Sequence, residues 1–483
     1  MASSNVDVLI VGAGPVGLFL ANECARRGIA YRIIKDDGTQ STHSKALAIY
    51  PRTLEVFDMA GIAEPFLQAA NRVTKVSVRS HERELGHVEF QPAGTPYQFI
   101  AMIPQDVTEK LLLEQLRGKG GDVEYETKFL SLSQTDSGVE AVVERAGTQT
   151  TIAAKYLAGC DGAHSAVRQA LGLAFEGAEY KETYILADAI TNDVLPVDEM
   201  HLCPSQLGPL AIFPMSATRR RIIAIAESAE GDAPSLELIN DILTKRAPNG
   251  LRAESLVWAA YFRIHHRCVA QMGAGRAFVS GDAAHIHSPY GGQGMNTGLQ
   301  DAWNLAWKLD LAVRGLATDG LLPSYTQERH PIVLGVIEIT NFLTNALGPR
   351  HPVGAEVRDV AISVVTHIPK FKEVFTERMS GLGNAYKGSP IVEGGGKRYF
   401  DASLGGGKGI ASRFILMVPS VDDATTAGIR TLESQFSSVL EVRSSPDSEL
   451  RLLRPDGYVA YEGVASVSAV AHVEEVLRRQ VRV

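Results

Sequence analysis

The chain has 483 residues, is 45% hydrophobic and 21% charged, and carries a formal net charge of −8, enough material for a large core divided among two or three domains. Lysine and arginine are not clustered into the kind of surface that binds nucleic acid, so no nucleic-acid partner is expected. The most apolar early stretch, Val8 to Ala21, is broken by glycine, too short to span a bilayer and without a basic leader, so a cytoplasmic protein with no membrane partner is expected.

The apolar run Val8-Leu9-Ile10-Val11 predicts a buried parallel strand, and a helix is expected from Val16 to Arg27, closed by Gly28. Between them lies GAGPVG, residues 12 to 17. In a strand-turn-helix setting Gly12 makes the turn, Gly14 lets the backbone approach a pyrophosphate, and Gly17 lets helix lie on strand. Pro15 and Val16 open the helix whose free N–H groups and dipole attract the phosphates. Dinucleotide binding is the working assumption.

A second strand, Tyr31 to Ile34, should end in an acid for the ribose hydroxyls. Lys35 stands there instead and Asp36 follows, which makes Asp36 the candidate. Strands and helices alternate to about residue 70 and again over 100–175, the pattern of a doubly wound sheet. Short strands are expected around Val73, Val76, Val78, Val88 and Phe90, then at Leu210–Phe213 and Arg221–Ala226, as a mainly antiparallel layer. The sharpest basic run, Arg219-Arg220-Arg221, reads as a solvated strand face.

Cys24, Cys160, Cys203 and Cys268 form no CxxC pair, which supports neither a disulfide framework nor a zinc site, and the HxH pair His285 and His287 lacks ligand partners nearby, so no metal is expected. From Gln293 the spacing of Met295, Leu299, Ala302, Ala306, Leu309 and Val313 predicts a helix with one apolar stripe, ended by Gly315. Glycine-rich segments at 393–396 and 405–407 mark a boundary. Beyond it, a strand at Phe414–Val418, a hairpin of Leu450–Leu453 and Tyr458–Tyr461 around Arg454-Pro455-Asp456-Gly457, and a closing helix at Val473–Arg479 make a small third unit.

Three segments, GAGPVG at 12–17, CDGAHSAVR at 160–168 and GDAAHIHSPYGGQGMN at 281–296, occur in this order at wide separations. With them the chain resembles, over nearly its whole length, the FAD-dependent aromatic hydroxylases, single-component flavoprotein monooxygenases of the para-hydroxybenzoate hydroxylase type. The tail from about residue 400 is similar to that of the phenol and polyketide hydroxylase branch. The resemblance implies an α/β fold: a Rossmann-like FAD-binding domain, an antiparallel-sheet substrate domain and a C-terminal thioredoxin-like domain. The expected division is 1–175 with 73–100 lent to the substrate sheet, 176–270 for that sheet, 271–390 for the rest of the FAD-binding domain, and 391–483 for the tail, which has no CxxC for dithiol redox work.

Carried onto this sequence, the resemblance implies Gly12, Gly14 and Gly17 at the FAD pyrophosphate, Gly281 and Asp282 at the ribityl or pyrophosphate region, Gly292, Gly294, Met295 and Asn296 at the flavin ring, Pro289 beside it, and Gln105 touching the cofactor. A helix start near Gln293 would aim N–H groups at the flavin edge where negative charge develops on reduction. Lys45 falls where the family carries an arginine, and lysine offers no bidentate fork. The resemblance associates the segment at Asp161 with binding of both FAD and NAD(P)H, Asp161 tying loops there rather than reacting, and Arg168 either attracts a dinucleotide phosphate or makes a surface ion pair.

The implied reaction consumes NAD(P)H and dioxygen and hydroxylates an aromatic, phenolic or polyketide-type substrate through a flavin C4a-hydroperoxide. No second GxGxxG is present, so NAD(P)H is expected to dock in a groove. Tyr261, His265, His266 and His201 sit where each faces either substrate or solvent, and no catalytic base is assigned. A homodimer is expected. Two alternatives stand beside this reading: an FAD-dependent NAD(P)H oxidase or dehydrogenase without oxygen insertion, and a redox-regulated flavoprotein binding module. A halogenase is disfavoured because Trp258, Trp303 and Trp307 do not form the WxWxIP pattern.

Overall fold

The computed structural model describes residues 6–482 apart from 41–43, 193, 227–228, 230, 249, 348–351 and 408–412. Its first sheet is built on parallel strands: Tyr31–Ile34, Val6–Val11, Thr148–Gly159 and Ala277–Val279 lie side by side. Val8, Leu9 and Ile10 are fully buried, as a strand covered on both faces requires. The helix Pro15–Arg27 packs on this sheet with proline in its first turn, and Gly28 closes it in the left-handed conformation at φ 71°. An antiparallel flap, Thr127–Gln134 and Val139–Arg145, extends the sheet beyond Thr148–Gly159.

The second sheet has eight strands, and the expected strands around Val76 and Val88 form its far edge as Lys75–Ser80 and Arg83–Glu89. It is antiparallel except where Glu199–Cys203 runs parallel to Lys75–Ser80. Alternation separates its faces. Ile185, Ala187, Ile212 and Ile222 pack under the helix Leu236–Arg246, which the sequence pattern did not reveal although Ser235 caps it and Ile239, Ile242 and Leu243 give it a buried face. Tyr184, Leu186, Phe213 and Ile223 face the other way, towards Leu47, Ala48 and Tyr50.

The arginine run is not a solvated face. Arg220 and Arg221 are buried: Arg220 donates to Leu195 and Pro196 carbonyls, and Arg221 makes a two-pronged pair with Asp188 at 2.7 and 3.0 Å. Arg219, at the start of the strand, stays partly in solvent, whereas both faces of the strand are covered at Arg220 and Arg221, so their donors are met inside.

The helix Gly294–Val313 is central rather than one-sided: every residue from Met295 to Leu311 is buried, Asp301, Asn304 and Lys308 included. The tail forms a four-stranded sheet in which Phe414–Val418 runs parallel to Leu440–Ser444 and antiparallel to Glu449–Leu453, itself hairpinned to Val459–Val464. The helices Asp423–Gln435 and Val467–Arg478 cover it. All four cysteines are free and buried. Among the described residues no helix is long and apolar enough to cross a membrane.

Candidate FAD site

Register decides where the three motifs meet. Val11 pairs with Gly159 and Gly159 with Val279, all in parallel strands. Gly12, Cys160 and Ser280 therefore leave the sheet side by side at its carboxyl end, the position where open α/β sheets bind ligands. Backbone bonds lock this edge: Gly12 N–H donates to Ile34 O at 2.9 Å, Cys160 N–H to Val11 O at 2.7 Å and Ser280 N–H to Gly159 O at 3.0 Å.

The glycines divide by what surrounds them. At Gly12, with φ 101°, a Cβ would stand 2.3 Å from Cys160 O, and at Gly17 it would stand 2.0 Å from Gly12 O, so both are required by the fold. At Gly14 a Cβ would meet nothing within 4 Å. Gly14 is the N-cap of the helix, no side chain caps it, and Pro15 follows. An open cradle before uncapped N–H groups is what a pyrophosphate needs.

Gly281, with φ 61°, turns the chain into a single helical turn Gly281–Ala283. Asp282 is exposed, yet burial pushes its carboxyl above the ordinary value while His285 and Lys45 act to lower it. Lys45 and His285 are the basic groups close enough to act on it. The residues present thus fit a dinucleotide at this edge.

Asp161 braces its own segment: it accepts from Ser165 Oγ at 2.5 Å and Val167 N–H at 3.1 Å, at the start of the short helix that follows, and burial raises its carboxyl against those bonds. Arg168 fills neither expected role. It is buried and donates to Ala283 O at 3.0 Å and Ala163 O at 2.8 Å, joining the second motif to the third.

At the other end, a helix beginning at Gly294 leaves its first N–H groups without intrahelical partners. The Asn296 side chain is already engaged: its Oδ1 accepts from Tyr50 N–H at 2.9 Å, and its Nδ2 donates to Ala48 O at 2.8 Å and Gly292 O at 3.1 Å. Tyr50 Oη donates to Gly291 O at 2.9 Å, in the turn Pro289–Gly291. At Gly292, with φ 58°, a Cβ would stand 3.3 Å from Ala48 Cβ. Burial lowers the half-buried His287, beside Gly294, to about 4, so its ring is neutral at physiological pH.

The segment opposite is held by side chains. Gln105 Oε1 accepts from Ala46 N–H at 3.0 Å and its Nε2 donates to Glu109 at 2.9 Å. Arg221 donates to Ser44 O at 2.7 Å and to Lys45 O and Ala46 O at 3.0 Å. Asp36, by contrast, is exposed and lies 3.9 Å from Lys128, while the Lys35 ammonium folds back on Thr39 O at 2.7 Å.

Of the possible bases, His201 and Tyr261 lie on the sheet face turned away from Tyr50: His201 alternates with Met200 and Leu202, and Tyr261 packs against the core under the helix Leu236–Arg246. His265 pairs with Glu179 at 3.9 Å. His266 meets the Tyr180 ring edge-on at 5.4 Å, and Tyr180 packs against the core on the Tyr50 side.

Sequence reasoning missed Asp301, Arg329 and Arg221 as parts of this region. Asp301 Oδ2 lies 2.6 Å from His285 Nε2, and Arg329 Nε donates to its Oδ1 at 2.7 Å. Charged residues within apolar runs were the available signal, since buried charges need partners.

The pattern of the family described as FAD binding domain matches residues 5–340. The chain belongs to this family of FAD-dependent aromatic monooxygenases. It is 31% identical to 6-methylpretetramide 4-monooxygenase of Streptomyces rimosus, over 95% of this chain and 91% of that one. It is 30% identical to pentachlorophenol 4-monooxygenase of Sphingobium chlorophenolicum, over 80% and 72%. The solved structure of the anhydrotetracycline hydroxylase OxyS of Streptomyces rimosus superposes with a TM-score of 0.81 at 26% identity, covering 99% of both chains. FAD is the cofactor of this monooxygenase family, and the oxidase, dehydrogenase and binding-module alternatives give way to it.

Proposed function

We propose that this monooxygenase consumes NAD(P)H and dioxygen to place one hydroxyl on an electron-rich aromatic ring of phenolic or polyketide type. The observation that carries the reading is the convergence of Gly12, Cys160 and Ser280 at one sheet edge, with the apolar face of Leu186, Phe213 and Ile223 opposite the segment Leu47–Tyr50. Relatives named for tetracycline-type and chlorophenol substrates support the substrate class.

Bound FAD supplies the redox and oxygen-transfer chemistry. In this reading the Gly12–Gly17 turn holds its pyrophosphate, with the open space at Gly14 as the approach, and Gly281, Asp282 and Lys45 line the ribityl region. Gly294, Met295 and Asn296 face the ring through backbone N–H groups, because the Asn296 amide is engaged elsewhere. Gly292 and Pro289 shape the loop beside the ring, and Gln105 acts by holding Ala46. Asp36, exposed and 3.9 Å from Lys128, is assigned to the ribose hydroxyls. The substrate lies between the Phe213 face and the ring, where apolar walls exclude water.

The same proposal divides the chain at 1–175, 176–270, 271–390 and 391–483, reads the last unit as thioredoxin-like from its βαβ and hairpin-helix halves, and assigns a homodimer in the cytoplasm.

The test is to incubate the FAD-loaded protein in air with NADH or NADPH and a panel of phenols and polyketide-like aromatics, following nucleotide loss and product mass together. One aromatic that speeds nucleotide loss and gains a single oxygen atom is the expected result. Hydrogen peroxide as the sole product across a broad panel would count against the substrate class.

A further inference from the structure

The helix Gly294–Val313 meets the loop Gly281–His285 at two residues three apart on one face, Gly298 and Asp301. Gly298 lets the two backbones meet, since a Cβ there would stand 2.9 Å from Gly281 Cα and 2.7 Å from Val16 Cγ2. One turn on, Asp301 takes over. Its Oδ2 accepts from Gly281 N–H at 3.2 Å and from His285 Nε2 at 2.6 Å, and its Oδ1 accepts from Arg329 Nε at 2.7 Å. Arg329 Nη2 donates in turn to Thr297 O at 3.2 Å, so the guanidinium bridges the carboxylate to the first turns of the same helix.

We propose that Asp301 is a positioning residue for FAD, holding both ends of the loop Gly281–His285 against the helix so that Asp282 and the N–H groups at Gly294–Asn296 meet the cofactor as one rigid pair. The inference rests on the FAD site assigned above and adds a residue that reaches FAD only through the loop. Asp301 and Arg329 are both fully buried. Burial alone would raise the Asp301 carboxyl, but Arg329 and His285 outweigh it and hold the group below its ordinary value, so it is a full anion with several acceptor sites. An acceptor of that capacity can hold Gly281 N–H, His285 and Arg329 together, whereas an amide in its place has one oxygen to share among them. The loop would then keep its fold but lose the bond that fixes Gly281, the residue next to Asp282.

The experiment is FAD titration of apo-protein by flavin fluorescence quenching, with the bound flavin spectrum and the far-UV circular dichroism of the apo-protein recorded on the same samples. Asp301→Asn and His285→Gln are compared with the unsubstituted chain. The expected result is native secondary structure in both apo-proteins and a Kd for FAD at least about tenfold weaker in Asp301→Asn, from loss of a hydrogen bond to a charged group. His285→Gln, which leaves the Gly281 bond in place, should show a smaller loss in the same direction. Should Asp301→Asn not fold, a weakened FAD Kd in folded His285→Gln and Arg329→Lys carries the proposal. Unchanged Kd and flavin spectrum in the folded variants, with only a lower melting temperature, would overturn it. Failure of the unsubstituted chain to take up FAD would instead overturn the site assignment itself.

Discussion

Arg454 and Glu328 form a two-pronged ion pair with no exposure to solvent, although 126 residues separate them. Arg454 belongs to the hairpin turn of the C-terminal sheet and Glu328 to the helix Ser324–Leu347. Asn304 and Lys308 also donate to Glu328, at 2.8 and 2.7 Å, and Trp303 Nε1 donates to Asp456 O at 2.9 Å. The turn Arg454-Pro455-Asp456-Gly457 is therefore a plug in the flavin-bearing part of the molecule, and the C-terminal unit is bolted to the helix that begins at Gly294.

Breaking a buried pair from one side strands a charge, which costs about 3–5 kcal/mol. Arg454→Met should lose stability of that order in urea unfolding, whereas the double substitution Arg454→Met with Glu328→Gln should lose less than the two single losses added together. Additive losses would show that the two groups are not coupled.

Gly14→Ala and Gly17→Ala separate cofactor approach from folding. The Gly14 methyl would enter open space, so the protein should fold normally and bind FAD at least about tenfold more weakly, whereas the Gly17 methyl would stand 2.0 Å from Gly12 O and should destabilise the fold itself. Thermal unfolding of the apo-proteins and FAD titration together check both halves.

Asp282→Ala should lose FAD, because the acidic side chain next to Gly281 disappears. Asp282→Asn should keep part of the affinity through a neutral hydrogen bond. Flavin content of the purified proteins, read from the visible spectrum, is the measure, and normal occupancy in Asp282→Ala would remove this residue from the site.

Acid should destabilise the sheet domain through His201. Burial first, then Arg79, Arg220 and Lys75, lower it to about 4, with Glu199 opposing. A folded value below the unfolded one of about 6.5 means that the neutral ring's contribution is complete above that pH and is lost as pH falls towards 4. His201→Phe should therefore lose less stability than the unsubstituted chain between pH 7 and pH 5, measured by chemical denaturation at each pH.

Elements marked by local pattern are legible in the residues themselves. Val8–Val11, the glycine turn, the helix closed by Gly28 and the hairpin around Pro455 each announce themselves within a dozen residues, because burial period, turn chemistry and capping act locally. The helices Leu236–Arg246 and Asp423–Gln435 escape such a reading for different reasons: the second has few large apolar residues and is marked mainly by its cap Asp422, whereas the first carries Leu236, Ile239, Ile242 and Leu243 at helical spacing behind its cap Ser235 but stands within a run of strands. Arg220, Arg221 and Arg168 mislead because a charged side chain in sequence looks the same whether it meets water or a buried carbonyl.

Local residue chemistry is enough for the cofactor class and the order of the motifs, since glycine at a tight turn and N–H groups at a helix start are requirements of the nearby backbone. Folding in three dimensions was needed to show that Val11, Gly159 and Val279 end side by side, that the Asn296 amide serves Tyr50 and Ala48, that Asp301 joins Arg329 to the loop at Gly281, and that Glu328 pairs with Arg454 of the C-terminal unit. Strand order and the partner of a buried charge are set by packing between segments far apart in the chain, where local residue preferences carry no information about distance.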